Sequence, residues 1–184
     1  MANGYLAAAS ASMRALSGGK RGATVPIDPA AVGWEHAVAA VALLAVVVVA
    51  SVMAPAGELV MQFLPMLLEI LFVTFATLAV PFLVLGVAAT WSRQREKLPL
   101  LVMFTALSLI LIQVTSLVLS LFGLSTSTAL IGVTAYFVGR ASRTVLGFSL
   151  GNSILVALLV AAGIFAASFL LLAMPSGHAL LGAA

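Results

Sequence analysis

Long apolar runs separate three small clusters of basic residues in this 184-residue chain, and that spacing leaves few folds open. All eight Lys and Arg residues lie in the clusters: Arg14, Lys20 and Arg21; Arg93, Arg95 and Lys97; Arg140 and Arg143. The longer runs between them exceed the roughly 18 to 20 residues that cross a hydrocarbon core. Charged residues are 7% of the chain and apolar ones 64%, too little charge to clothe the surface of a soluble domain. Strands of alternating polarity are absent, which argues against an outer-membrane barrel. Backbone groups in lipid must bond internally, and that leaves helices. The expected fold is all-α, a polytopic helical membrane protein.

The first span is expected over 32–54. It opens with Trp34, Glu35 and His36 and is broken by the turn Pro55-Ala-Gly57. The stretch 57–91 is too long for one upright span. It divides most simply into an interfacial segment over 57–66 and a second span ending at Trp91, with a single long tilted helix as the alternative. Pro81 falls inside this span and is expected to kink it. The third span covers 98–122. A short uncharged loop then leads to a fourth apolar segment, 124–139, which is either a short span or a re-entrant arm. The fifth span covers 149–174.

Ahead of the spans, residues 5–12 are only weakly apolar and precede Arg14, Lys20 and Arg21, the reverse of a signal peptide's order. Residues 1–31 are therefore expected to stay in the cytosol. Residues 1–16 read either as a short Ala-rich surface helix or as disorder, 17–23 as a flexible link, and Pro26 and Pro29 as a rigid lead into the first span. The domain organisation is a cytoplasmic segment (1–31), a five-helix transmembrane domain (32–174) and a short external tail (175–184).

Charge sets the expected orientation. With the N-terminus inside and five crossings, every Lys and Arg lies on the inner side and the C-terminus lies outside. Without the fourth crossing, Arg140 and Arg143 would fall on the wrong side, so the short segment is expected to be a true span. Trp34, Trp91, Arg140 and Arg143 are then anchors at the inner interface. The expected location is a bacterial inner membrane.

The sequence pI near 10.0 does not imply nucleic acid, because the basic residues flank apolar spans, where topology and anionic headgroups explain them. The absence of cysteine excludes disulfides, thiolate catalysis and Cys-ligated metals. His36 and His178 fall on opposite sides of the membrane in this topology and cannot share a metal. Pro175-Ser-Gly-His178 spells the central motif of a lipid-phosphatase family, but none of the six residues after His178 is the required Ser, Arg, His or Asp. Ser17-Gly-Gly-Lys20 matches a Ser-x-x-Lys pattern in a flexible link, with nothing to activate the lysine. No catalytic, cofactor or metal constellation is complete, so no enzyme and no cofactor are expected.

Two polar residues inside spans are candidates for a site. Glu69 is a carboxylate within the second span, where the bilayer centre would cost about 2.5–3.5 kcal/mol. It is either a proton or cation site, or, if the span is the last ~22 residues before Trp91, a hydrated residue near the outer interface. Gln113, in the third span, is its one strong amide candidate for a partner. Glu35 and His36 stand side by side, but adjacent helix residues face apart, so they read as wetted anchors. Gly147 and Gly151 form a GxxxG at the start of the fifth span, which also carries Ala157, Ala161, Ala162, Gly163, Ala166 and Ala167, and these are expected to serve close helix packing.

The run Tyr136…Gly139-Arg140…Arg143…Leu146-Gly147-Phe148-Ser149, with a short fourth span before it and a small-residue-rich fifth span after it, resembles the bacterial branch of the Yip1 family. The resemblance covers about residues 98–174. It implies five spans, an N-terminus in the cytosol and a C-terminus outside. The acidic-Tyr-Gly-Pro signature of eukaryotic relatives is absent, so what it implies is architecture rather than a trafficking role. The leading functional expectation is a non-enzymatic scaffold, accessory subunit or membrane-shaping factor, with lipids and other membrane proteins or a second copy as partners and no nucleic acid. The alternative is a small oligomeric transporter or channel using Glu69 and Gln113.

Overall fold

The computed structural model describes residues 32–53, 64–121 and 127–173. They form five α-helices: α1 (Trp34–Met53), α2 (Leu64–Trp91), α3 (Leu98–Leu121), α4 (Ser127–Leu146) and α5 (Leu150–Ala173). A 3-10 turn, Arg95–Lys97, joins α2 to α3, and no strand occurs among the described residues. The expected surface helix over 1–16, the link over 17–23, the prolines 26 and 29, the 55–57 turn, the 57–63 part of the interfacial segment, the 123–126 loop and the tail with His178 lie outside the described residues.

The chain is all-helical here, and four helices are long and apolar enough to cross a membrane. Their apolar windows run Trp34–Met53, Leu67–Trp91, Arg95–Leu119 and Leu150–Phe169. Each buries a stripe rather than its whole circumference. In α1 the stripe is Ala37, Ala40, Leu44 and Val48, spaced by three or four residues along one face. Val38, Val41, Val46 and Val49 on the other faces are exposed although apolar. A water-soluble helix would carry polar residues there; an apolar outer face suits a lipid surround.

α1 packs chiefly on α3, α3 on α4, α4 on α5, and α5 on α2. α3 is shared by both cores. Its Leu101 and Phe104 join Leu85, Ala89, Val138 and Val160 in one cluster. Its Leu100, Met103, Leu109 and Ile112 join Leu44, Val48 and Leu78 in the other.

Two boundaries differ from expectation. Residues 64–66, expected in an interfacial segment, belong to α2, a single 28-residue helix. At 1.5 Å per residue it is about 42 Å long, more than a bilayer core needs. It runs through buried Pro81, whose missing N–H leaves the Thr77 carbonyl without its helical donor. The second correction concerns α4. The fourth segment was expected to end at Gly139, with Arg140 and Arg143 following it, but α4 continues to Leu146 and carries both arginines. The apolar run ends at 139, but arginine is a good helix former. The helix stops where Gly147 adopts φ 69°, the left-handed conformation that a helix terminator takes.

The close helix approaches also fall elsewhere than expected. A Cβ on Gly147 or Gly151 would meet nothing within 4 Å among the described residues, so neither glycine makes a close helix contact there. Gly147 lies outside the helix, which rotates the presumed motif off any shared face. Gly139 and Gly163 make the close contacts instead. A Cβ at Gly139 would lie 3.0 Å from Ala157 Cβ and from the Ser153 carbonyl, and one at Gly163 would lie 2.6 Å from Val80 Cγ1. These two glycines set the α4–α5 and α5–α2 approaches.

Candidate functional site: the basic rim

Every Lys and Arg among the described residues lies at one end of the bundle, where α2 and α4 end and α3 and α5 begin. The local backbone builds this rim. α2 closes with a Schellman turn: the Arg93 N–H bonds to the Thr90 carbonyl at 3.1 Å and the Gln94 N–H to the Ala89 carbonyl at 2.9 Å. The left-handed position, which glycine usually takes, is held by Arg93 at φ 57°. A basic residue is thus kept at the turn despite its backbone cost.

The same turn reaches across to α4. Gln94 Nε2 donates to the Leu146 carbonyl at 3.1 Å, and Lys97 Nζ donates to the Val145 carbonyl at 3.1 Å. The last carbonyls of a helix lack partners of their own, and a cation there also meets the negative end of the helix dipole. The α2–α3 turn is therefore the C-terminal cap of α4. These two bonds place Arg93, Arg95 and Lys97 at the same end as Arg140 and Arg143. Beyond Gly147, Ser149 Oγ accepts the Asn152 N–H at 3.4 Å and caps the start of α5.

On the outer side of the rim, α4 and α5 enclose a groove of ≈ 730 Å³. Tyr136, Arg140 and Arg143 line it from α4, and Leu150, Ser153 and Ile154 from α5. Arg140 Nη1 donates to Tyr136 Oη at 3.0 Å. Arg143 is exposed. On the far side of α5 a second groove, ≈ 510 Å³, runs against α2 and is lined mainly by aliphatic side chains, with Trp91, Ser92 and Asn152 at its rim end. Trp91 is 87% exposed and Trp34, at the start of α1, 56% exposed. Beside Trp34, His36 Nδ1 sits 3.4 Å from Glu35 Oε1, so these neighbours meet although they were expected to face apart.

No hydrogen bond joins Glu69 to Gln113 among the described residues. Glu69 is about 33 Å along α2 from Trp91, whereas Gln113 is about 22 Å along α3 from Leu98 at the same rim. Glu69 Oε2 is buried and has no hydrogen-bond partner among the described residues. Two interior hydroxyls of α3 are satisfied locally. Thr105 bonds to the Leu101 carbonyl at 2.7 Å and Ser108 to the Phe104 carbonyl at 2.9 Å. The crevice they share with Phe137 and Val138 has ≈ 0 Å³ open to water.

Sequence reasoning missed Gln94 and Lys97 as partners of α4, and Ser153 as a residue lining the groove. Only the rule that helix ends need caps pointed to the first two. No protein-family model matches this chain, and no match is found among curated proteins or solved structures.

Proposed function

We propose that the chain is a five-span protein of a bacterial inner membrane, with its N-terminus in the cytosol and its C-terminus outside. It acts as a scaffold or accessory subunit, through its apolar helix faces and basic rim rather than through catalysis. The fifth crossing is supported by α4. This helix of 20 residues, about 30 Å by its rise, returns to the rim that α3 left, and α5 departs from that rim again. Crossing five times keeps the basic residues on one face, as the positive-inside rule requires.

The observation that carries the scaffold reading is the dry α3–α4 crevice. The buried hydroxyls of α3 bond to their own backbone, and the α3–α4 crevice admits no water. A solute path needs a lined, hydrated cavity, whereas the outer faces offer exposed apolar side chains such as Val46, Leu83 and Leu158 to lipid or to neighbouring helices. Photo-crosslinking from Leu158 in native membranes tests this. A discrete adduct with one protein, or with a second copy, is the expected product, and lipid adducts alone would contradict it.

One observation favours a transporter: the unpartnered buried oxygen of Glu69. Proton flux into proteoliposomes, compared for the natural chain and Glu69→Gln, decides between the two. No flux from either is expected. A flux in the natural chain that Glu69→Gln abolishes would replace the scaffold with a transporter.

A further inference from the structure

We propose that the groove between α4 and α5 holds the headgroup of an anionic glycerophospholipid, with Arg140, Arg143 and Ser153 as ligands of its phosphate. The proposal rests on the membrane reading above, but its test needs neither the scaffold's partner nor the orientation.

Two observations of different kinds meet in this groove. The first is charge. Arg140 and Arg143 stand three residues apart, on neighbouring positions of one helix face. No carboxylate lines the groove, and neither arginine forms an ion pair among the described residues. Arg140 is steadied by its bond to Tyr136 Oη, which leaves the rest of its guanidinium fork free. The positive end of the α5 dipole lies at the same level, behind Leu150.

The second is Ser153. It is 5% exposed, it lines the groove, and its Oγ is buried with no hydrogen-bond partner among the described residues. Ser51, Ser108 and Ser168 each bond back to a carbonyl of their own helix, but Ser153 does not. A buried hydroxyl left unbonded is costly, which makes it a donor in want of an acceptor. By helix rise, Ser153 lies about 4–5 Å inside the start of α5, and Arg143 the same depth inside the end of α4. A phosphate between them would accept from both walls.

The shape selects a lipid over a free anion. From Arg143 to Tyr136 the groove descends about 10 Å along α4. Its lower walls are Tyr136, Gly139 and Ala157, which suit a glycerol backbone and the first methylenes of an acyl chain. Two arginines at the mouth repel the cationic end of a zwitterionic headgroup and favour one without it.

The test is binding by the purified full chain in detergent, read by native mass spectrometry. The probes are phosphatidylglycerol, phosphatidylcholine with the same acyl chains, and inorganic phosphate alone. Phosphatidylglycerol is expected to be held about tenfold more tightly than phosphatidylcholine. Arg140→Gln combined with Arg143→Gln abolishes the preference, while Arg95→Gln, outside the groove, keeps it. Ser153→Ala guards against a folding artefact. It weakens phosphatidylglycerol binding severalfold yet melts no lower than the natural chain without lipid, because the hydroxyl it removes has no partner in the protein. Equal retention of the two lipids overturns the proposal, as does a preference that survives both Ser153→Ala and the double variant. Binding of inorganic phosphate at these residues without any lipid preference also overturns it, leaving a simple anion site.

Discussion

Gly139 and Gly163 show how single residues decide the bundle's spacing. At Gly139 a side chain must displace Ala157 Cβ and a backbone carbonyl, neither of which can swing away. Gly139→Val is expected to lower stability in detergent by about 1–3 kcal/mol, the usual cost of overpacking. Gly151→Ile faces open space and is expected to leave the melting temperature nearly unchanged. A reversed pair of melting results would put the close contact back on the GxxxG. Arg93 makes a separate case. A left-handed non-glycine costs about 1–2 kcal/mol, and glycine's own entropy returns about 0.5–1 of that. Arg93→Gly should therefore raise stability by up to about 1 kcal/mol while removing one basic charge from the rim. A loss of stability would mean that the Arg93 side chain contributes more than its backbone costs.

The elements depend on one another's ends. α4 finishes under a cap supplied by Gln94 and Lys97, 52 and 48 residues away from the carbonyls they reach. Lys97→Met removes the cation facing the α4 dipole, a loss of about 0.3–1 kcal/mol at a helix end. The expected readout is faster amide exchange over 143–147, with exchange in the middle of α3 unchanged; uniform protection across both helices would show that the cap contributes nothing. This dependence explains what the sequence disclosed and what it hid. α1, α3 and α5 were legible to within about two residues, because their apolar runs are bounded by charge, Pro or Gly. α4 was not, because a fall in hydropathy at Arg140 is not the end of a helix: Arg, Ser and Thr continue it until Gly147 takes a positive φ. Gly147 was read as a packing residue for the same reason, since its role depends on a dihedral angle and not on its spacing from Gly151. Of the candidate site, the arginine pair was visible as charge beside a span. The part Ser153 plays was not, because it depends on the rotation of α5 against α4.

The described residues form a set of apolar helices whose α3–α4 crevice leaves no room for water, with their basic residues gathered at one rim. The bonds from Gln94 and Lys97 to α4 tie that rim together and hold the two basic clusters at one end of the bundle. The proposed topology depends on α4 being a full crossing that returns Arg140 and Arg143 to the side of Arg95. Single cysteines at positions 95, 143 and 178, probed with a membrane-impermeant thiol reagent on intact cells, test this most directly. The natural chain has no cysteine, so each label reports one position. Protection at 95 and 143 with labelling at 178 is the expected result. Labelling at 143 together with protection at 178 would contradict the five-span arrangement.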